Sequence, residues 1–199
     1  MPIRIVKHKN PKLVLFYRQS SPFSNFYPAS FNAEIDGKSV EYNCNEQYFM
    51  YHKALLAGDS KSAEKILKME KPLLMKKAGR ELEMSEKMLK EWSSKSGDVM
   101  FNGCLQKFSQ NQNLRLSLFR TNGMILAEAS ATDKIWGIGL SVSDKRSEDR
   151  KQWKGANKLG EILQKVRDNM WENVEFRQEK KMIEEENMEK RYEELEKLG

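Results

Sequence analysis

One short segment of the chain places an acidic residue among amide and aromatic side chains, which can act as acid, base and substrate contacts. Glu46 follows Asn43 by three residues, where the pattern becomes helical and Asn43 is expected to cap the helix. Helix N–H groups favour the ionised carboxylate, so Glu46 is a candidate general base or electrostatic stabiliser. The structural alternative is a capping box, because Asn43 and Glu46 also have its spacing.

A second acidic residue, Asp133, follows a predicted strand and precedes Trp136, Gly137 and Gly139. Glycines beside a tryptophan allow a ligand ring to approach the backbone closely, and the indole offers a flat stacking face. The alternative places Trp136 in the core and makes Asp133 a turn cap. Both interpretations stay open on the residues alone.

Amide and basic side chains supply further candidates for substrate binding. Asn25 and Phe26 lie in a loop after the first predicted strand, with Arg18 just upstream. An asparagine amide can both donate to and accept from a base or a sugar, although Phe26 and its neighbours could simply anchor the loop. Asn157 precedes the last helix of the body, whose N-terminus could receive a phosphate or could merely be capped.

Several kinds of chemistry are excluded or made improbable by what the sequence lacks. Two cysteines and two histidines are too few for a disulfide scaffold and argue against a Cys/His zinc site. A phosphate-binding loop and a dinucleotide fingerprint are absent, so no metal or cofactor is expected. Without a signal peptide or an apolar run long enough to span a membrane, we expect a cytoplasmic protein with no membrane partner.

Charge is distributed unevenly along the 199 residues, which carry 35 Lys or Arg and 29 Asp or Glu. Residues 171–199 contain ten Glu and six Lys or Arg, so residues 1–170 carry a net charge of +10. Such a body favours an anionic partner, for which phosphorylated small molecules, nucleotides and nucleic acid all qualify.

The coarse pattern of elements predicts a mainly helical single domain of the α+β class with a small antiparallel sheet. Strands are predicted at 12–17 and 124–129, and as a hairpin over 31–42 with its turn at Asp36-Gly37. Trp92 is placed in a Ser-rich stretch before a helix. The predicted helices are 47–56, 60–69, one starting at Pro72, 98–108, one ending at Phe119, and 157–170.

The segment 171–199 is predicted to be a charged helical extension of a domain that spans 1–170. Its apolar residues form a narrow helical stripe made of Met188, Tyr192, Leu195 and Leu198. A solvated surface helix or tail is the simplest interpretation. The alternative is a helix that binds a partner or a second copy of the chain.

Taken together and in order, these pieces resemble the NADAR family of N-glycosidases, also called YbiA-like. The resemblance covers roughly residues 12–170. The motifs that carry it are Phe16-Tyr17, Phe23-Ser24-Asn25-Phe26, Asn45-Glu46-Gln47-Tyr48-Phe49 with Lys53, Ala78-Gly79-Arg80, Asp133 to Gly139, and Gly155 to Gly160 through Arg167.

The resemblance implies a compact YbiA-like fold that hydrolyses N-glycosidic bonds. It implies two substrate types, namely phosphorylated ribosylamino-pyrimidine intermediates of riboflavin synthesis, and ADP-ribose on a nucleobase such as guanine in nucleic acid. Glu46 and Asp133 become the expected catalytic acids. The expected substrate contacts are Arg18, Asn25, Phe26, Lys53, Arg80, Trp92, Trp136, Gly137 and Asn157.

One departure from the family pattern leaves the substrate open. Ile138 stands between Gly137 and Gly139, where a polar residue often occurs. Two alternative functions also remain at this point. One is a module that binds ADP-ribose or a nucleotide without turnover, although retention of both acids argues against it. The other is an interaction protein that acts through residues 171–199.

Overall fold

The computed structural model describes residues 3–198, which fold as two compact units. The flanking unit combines residues 3–24 with 112–198, and the inserted unit is Asn25–Asn111. In chain order the elements are β1 (Ile3–Val6), β2 (Leu13–Phe16), β3 (Phe31–Ile35), β4 (Lys38–Tyr42), α1 (Asn45–Leu56), α2 (Ser60–Leu67), α3 (Pro72–Glu81), α4 (Glu86–Gln110), α5 (Gln112–Arg120), β5 (Ile125–Glu128), α6 (Lys158–Trp171), α7 (Arg177–Glu185) and α8 (Met188–Glu196).

The flanking unit contains a three-stranded sheet with β2 at its centre. All four residues of β2 are buried, as expected for an apolar strand that is covered on both faces. β1 pairs antiparallel with β2, whereas β5 pairs parallel to it, with Phe16 opposite Glu128. Because the two parallel strands end together, the loops after Phe16 and Glu128 leave the same edge of the sheet.

Helix α6 packs on β5 at very short range. Gly160 makes this possible, since a Cβ at that position would collide with the Leu126 carbonyl oxygen. Buried Arg167 then fixes the turn before β5 by donating to the carbonyl oxygens of Thr121 at 2.7 Å and Met124 at 3.0 Å.

The inserted unit is built around α1, which packs against α2, α3 and α4. The hairpin of β3 and β4 has the predicted turn, with Ile35 paired to Lys38 across Asp36-Gly37. Aromatic rings join the hairpin to α1, because the Tyr42 and Tyr48 centroids lie 5.0 Å apart.

The prediction that Trp92 precedes a helix over 98–108 is wrong, because α4 runs without a break from Glu86 to Gln110 and Trp92 lies on it. Ser85 caps this helix by accepting from the N–H of Met88 at 3.3 Å. Gly97 costs a helix only about 1 kcal/mol relative to alanine, which burial of the α4 face that packs on α1 outweighs.

The C-terminal segment is helical, as predicted, but it forms two helices rather than one. Asn187 separates them and caps α8 by accepting from the N–H of Lys190 at 2.9 Å. Tyr192 and Leu195 of the predicted stripe are buried, since α8 packs on β1 and on α5. The segment is therefore part of the flanking unit and not a solvated tail.

Two arginines of α5 hold this segment. Arg115 forms a two-pronged ion pair with Glu179, at 2.6 and 2.7 Å, and both side chains are about nine-tenths buried. Arg120 pairs in the same way with Glu186, at 3.0 and 2.9 Å. Part of the acidic charge of the segment is thus neutralised inside the unit.

The fold class is confirmed as mainly helical α+β with small sheets. The predicted antiparallel sheet corresponds to the hairpin of β3 and β4, and the second, mixed sheet contains the predicted strands β2 and β5. Across residues 3–198, every helix is too short or too polar to span a membrane.

Candidate functional site

The first turn of α1 in the inserted unit carries Glu46, which is 4% exposed. The helix starts after Cys44, not after Asn43 as predicted. The N–H of Asn43 donates to Gln47 Oε1 at 2.8 Å. Glu46 therefore does not close a capping box with Asn43. The sequence-based alternative of a purely capping glutamate is wrong.

Asn25, a predicted substrate contact, is bonded directly to this helix start. Its backbone carbonyl accepts from the N–H of Glu46 at 3.0 Å, and its Oδ1 accepts from Asn45 Nδ2 at 2.8 Å. Asn45 is completely buried, and the lack of a side chain at Gly103 leaves room for its amide. The loop that carries Asn25 and Phe26 is thus held against the residue that is expected to do chemistry.

Lys107 is a buried residue that sequence reasoning missed. It is 1% exposed on α4, and burial lowers the pKa of its amine to about 8. Burial also raises the pKa of the Cys44 thiol to about 11, with smaller effects of opposite sign from Glu46 and Lys107. A carboxylate and an amine therefore lie around one buried thiol.

A signal for Lys107 was present in the sequence. Met100, Gly103, Cys104 and Lys107 repeat at helical spacing and form the buried face of α4. A lysine on such a stripe is unusual, because a buried amine must find polar or aromatic partners. The amine of Lys107 lies 5.5 Å from the centroid of the Tyr27 ring.

Three more predicted residues lie along α1 or beside it. The Trp92 ring, which lies on α4 and not before a helix, contacts the ring of Phe49 with centroids 4.9 Å apart. Lys53 donates to the carbonyl oxygen of Gly79 at 2.7 Å, next to exposed Arg80. The inserted unit thus gathers Glu46 with the predicted contacts Asn25, Phe26, Lys53, Arg80 and Trp92.

In the flanking unit, Asp133 organises a tight turn. Its Oδ1 accepts from the N–H groups of Ile135 at 3.1 Å and Trp136 at 2.9 Å. Trp136 is half-buried, so it is not a full member of the core. The turn-cap role that was left open for Asp133 is therefore present, and it occupies one oxygen of the carboxylate.

Gly137 is required by backbone packing. A Cβ there would lie 2.8 Å from the Glu128 carbonyl oxygen and 2.9 Å from that of Asp133. Its own carbonyl accepts from the N–H of Asn157 at 3.1 Å. The loop is thereby fixed between the end of β5 and the start of α6.

Asn157 and Arg18 complete the predicted set at the carboxyl edge of the parallel strands. Asn157 occupies the position before α6, but its side chain does not cap that helix. Instead it bonds β5, with Nδ2 donating to the Leu126 carbonyl at 2.9 Å and Oδ1 accepting from the Glu128 N–H at 3.0 Å. Arg18 is exposed and has a left-handed backbone, with φ of 73°.

Within residues 3–198, no three His, Cys, Asp or Glu side chains are grouped so that they could hold a metal ion. Sulfur and imidazole ligands are scarce in the sequence.

Comparison with known proteins gives concordant matches. Residues 15–171 match the NADAR domain. Protein irg-1 of Caenorhabditis elegans is 48% identical over 204 residues, covering 98% of this chain and 96% of that protein. An N-glycosidase of Acanthamoeba polyphaga mimivirus is 37% identical over 147 residues, covering 73% of this chain and 85% of the relative.

A solved structure extends the comparison to the fold. The NMR structure of the Escherichia coli protein YbiA superposes with a TM-score of 0.62 and 28% sequence identity, covering 85% of this chain and 93% of that chain. The sequence of the Escherichia coli N-glycosidase YbiA is 30% identical over 176 residues, which is 98% of that protein. The chain therefore belongs to the NADAR domain family.

Proposed function

We propose that this protein is an N-glycosidase that hydrolyses the bond between a ribose carbon and the nitrogen of a base. The observation that carries the proposal is the buried carboxylate of Glu46 in the first turn of α1, where Gln47 bonds the N–H of Asn43. The names of the bacterial and viral relatives, which are N-glycosidases, support the same reaction.

The reaction places specific demands on a carboxylate. Cleavage of a C–N glycosidic bond builds positive charge at the anomeric carbon, which a nearby anion stabilises. Glu46 is proposed to stabilise that charge or to take a proton from the attacking water. Asn25, fixed to the backbone of Glu46, is positioned to orient a ribose hydroxyl or the base.

Asp133 is proposed as a second acidic residue of the reaction, and this part rests on the family resemblance. Its Oδ1 is committed to the turn that ends at Trp136. Its proposed task is to orient water or a ribose hydroxyl. The indoles of Trp92 and Trp136 are proposed to stack on the base.

The proposed substrates carry ribose phosphate or ADP-ribose on a nitrogenous base. Guanine-ADP-ribosylated DNA and a ribosylamino-pyrimidine phosphate represent the two types. The net charge of +10 on residues 1–170 would steer either anion to the protein.

The test offers each substrate separately to the purified protein and follows release of free ADP-ribose or ribose phosphate by mass spectrometry. We expect release from one of them, and a loss of about three decades of rate in Glu46→Gln. Glu64→Gln, an exposed residue of α2 in the same unit, is the matched control and should retain full rate. Tight binding without release, or near-normal turnover by Glu46→Gln, would contradict the proposal.

A further inference from the structure

Asn45 is a completely buried amide in the first turn of α1. Its amide nitrogen faces three acceptors, since it lies 2.8 Å from Asn25 Oδ1, 3.2 Å from Met100 Sδ and 3.3 Å from Cys104 Sγ. An amide nitrogen only donates hydrogen bonds, whereas an amide oxygen in the same place would face the lone pairs of the Met100 sulfur. These acceptors therefore determine which end of the Asn45 amide points towards Asn25.

The other end of this amide packs against the backbone of α4. A Cβ at Gly103 would collide with Asn45 Oδ1, and this oxygen has no hydrogen-bond partner within residues 3–198. A reversed amide would place two N–H groups against a helix whose carbonyls are already bonded along α4. An oxygen can accept weakly from the C–H groups of Gly103, but an amide nitrogen cannot. Both ends of the Asn45 amide thus favour the observed orientation.

The orientation of Asn45 fixes that of Asn25. Its Oδ1 accepts from Asn45, and its backbone carbonyl accepts from the N–H of Glu46 at 3.0 Å, so the start of α1 holds both oxygens. The amide nitrogen is the other branch of the same planar group and points away from Asn45. In the described part of the chain it has no hydrogen-bond partner, and it is not closed off from solvent. Asn25 therefore offers a ligand two N–H donors.

A donor that is held in one orientation selects ligands by their polarity. A ring carbonyl oxygen of a base only accepts hydrogen bonds, and an exocyclic amino group in the same place donates them. A ribose hydroxyl can rotate to do either, so the orientation of Asn25 would not discriminate between sugars. The orientation matters for a base, because the wrong group would leave the polar side chain of Asn25 unpaired.

We infer that Asn45 is a positioning residue that holds the amide nitrogen of Asn25 towards the substrate base, so that a base with a ring carbonyl at that point is selected over one with an amino group. This inference rests on the proposed function, since it places the base beside Asn25 and the reacting carbon at Glu46. Gly103 contributes to the selection, because the lack of a side chain there leaves room for the Asn45 amide.

Binding of matched nucleosides to the full chain, measured by NMR titration, tests the inference without turnover. Inosine has a ring carbonyl where adenosine has an amino group, and uridine and cytidine repeat this contrast on a pyrimidine. In at least one pair, we expect the carbonyl member to bind the unaltered protein about tenfold more tightly or better than the amino member.

Two variants test the contacts that set this preference. Asn25→Asp replaces the two donors by acceptors while Asn45 can still donate to the new side chain, so the preference should reverse in favour of the amino member. Asn45→Leu removes the donor that orients Asn25, so the two members of a pair should bind about equally. A merely structural role of Asn45 would weaken both members alike and leave their ratio unchanged.

Asn43→Asp is the matched control. It makes the same chemical change two residues before Asn45, at an amide that donates to the carbonyl of Met69 at 2.9 Å, and it should leave the ratio unchanged. Because Asn25→Asp keeps the buried Asn45 in place, it tests the inference even if Asn45→Leu does not fold.

The outcomes distinguish this inference from the proposed function. Equal affinities within both pairs, no binding of any of the four nucleosides, or a ratio that Asn25→Asp leaves unchanged would overturn the inference even if Glu46 proves catalytic. A preference for the carbonyl member that Asn25→Asp reverses supports it. Absence of N-glycosidase activity would then count against the proposed function alone.

Discussion

The N–H of Asn43 donates to Gln47 Oε1 at 2.8 Å, one residue beyond the partner that capping-box spacing predicts. The amide nitrogen of Gln47 also donates to the carbonyls of Ile66, Leu67 and Met69, at 3.0 to 3.1 Å. Two neighbouring residues in the first turn of α1, Glu46 and Gln47, thus have different roles. Gln47 holds the turn to the end of α2, and Glu46 is the residue to which the proposed chemistry is assigned.

Gln47→Ala should therefore destabilise the protein. Loss of the amide leaves partly buried carbonyls without their donor, which costs about 1–3 kcal/mol in the free energy of unfolding. Urea titration followed by circular dichroism measures it. Gln178→Ala, at an exposed position of α7, should change little, and equal effects of the two substitutions would refute the structural role of Gln47.

Asp133 combines a turn role with a proposed chemical role, and two substitutions separate them. Asp133→Asn keeps the Oδ1 acceptor for Ile135 and Trp136, so the melting temperature should hold while kcat/KM falls about a hundredfold. Asp133→Ala should lower both the melting temperature and kcat/KM. Asp149→Asn, whose Oδ1 accepts from Lys151 in a similar turn, is the control for activity. Unaltered kcat/KM in Asp133→Asn would mean that Asp133 acts only as a turn cap and has no role in the reaction.

Two glycines of α4 offer a matched pair. A Cβ at Gly103 would collide with Asn45 Oδ1 and lie 2.6 Å from the Tyr48 ring, whereas at Gly97 it meets nothing within 4 Å. Gly103→Ala should therefore cost about 1–3 kcal/mol of unfolding free energy and reduce turnover by shifting Asn45. Gly97→Ala should raise the free energy of unfolding by up to about 1 kcal/mol.

The contrast is read from denaturant curves and initial rates of the two variants. If Gly103→Ala were as stable and active as Gly97→Ala, the close contact between α4 and α1 would not constrain the proposed site.

The buried amine of Lys107 predicts a pH dependence of stability. Its pKa is about 8 in the folded protein, against roughly 10.4 in the unfolded chain. Between these values the unfolded chain binds more protons, so raising the pH from 8 towards 10 favours the folded state at this residue. Below pH 8 the amine is protonated in both states, so the free energy of unfolding no longer changes with pH at this residue.

Comparison with Lys107→Met isolates that effect, because thiols and tyrosines titrate in both proteins. The free energy of unfolding of the unaltered protein should rise relative to the variant across pH 8 to 10. A difference that is flat over this interval would mean that the amine is not held in a low-pKa environment.

The Arg115–Glu179 pair predicts strong dependence of the flanking unit on its C-terminal helices. Arg115→Met leaves a buried carboxylate and should cost about 3–5 kcal/mol, while the double substitution with Glu179→Leu should cost much less. The bond from Arg115 lowers the pKa of Glu179, so this contribution is present above its unfolded pKa and is lost as pH falls through the lowered value.

Thermal unfolding at pH 7 and at pH 3 measures both effects. Lys95→Met, which removes an exposed pair with Glu91, is the control and should change little. Equal destabilisation by Arg115→Met and Lys95→Met would show that the buried pair does not hold the segment.

Local signals predicted much of the fold, because turns and strand runs are short-range features. Asp36-Gly37 predicts its hairpin turn, and Leu13 to Phe16 predicts a buried strand. The parallel pairing of that strand with residues 125–128 depends on contacts more than a hundred residues apart, for which no local pattern exists. Ser and Gly residues near Trp92 placed it before the predicted helix 98–108, but packing of α4 on α1 extends the helix through that stretch.

Prediction of the candidate site was limited because the contacts of some side chains are set by residues that are distant in the sequence. Capping of α6 was one of the two roles left open for Asn157, yet its side-chain amide bonds β5, which only tertiary packing could reveal. Lys107 was missed because a lysine normally occupies a solvent-exposed position, although its neighbours on α4 form a buried stripe. Glu46 was predicted because acid, amide and aromatic residues adjoin it in sequence.

Strand β1 pairs with β2, and α8 packs on β1. A recombinant fragment must therefore include β1 and α8. The NADAR match begins at residue 15, inside β2, and ends at 171, before α7 and α8. A protein trimmed to those limits would lose half of its central strand and uncover the apolar surface now shielded by Tyr192 and Leu195. The exposed backbone edge would recruit neighbouring molecules, so expression at those limits should yield aggregates.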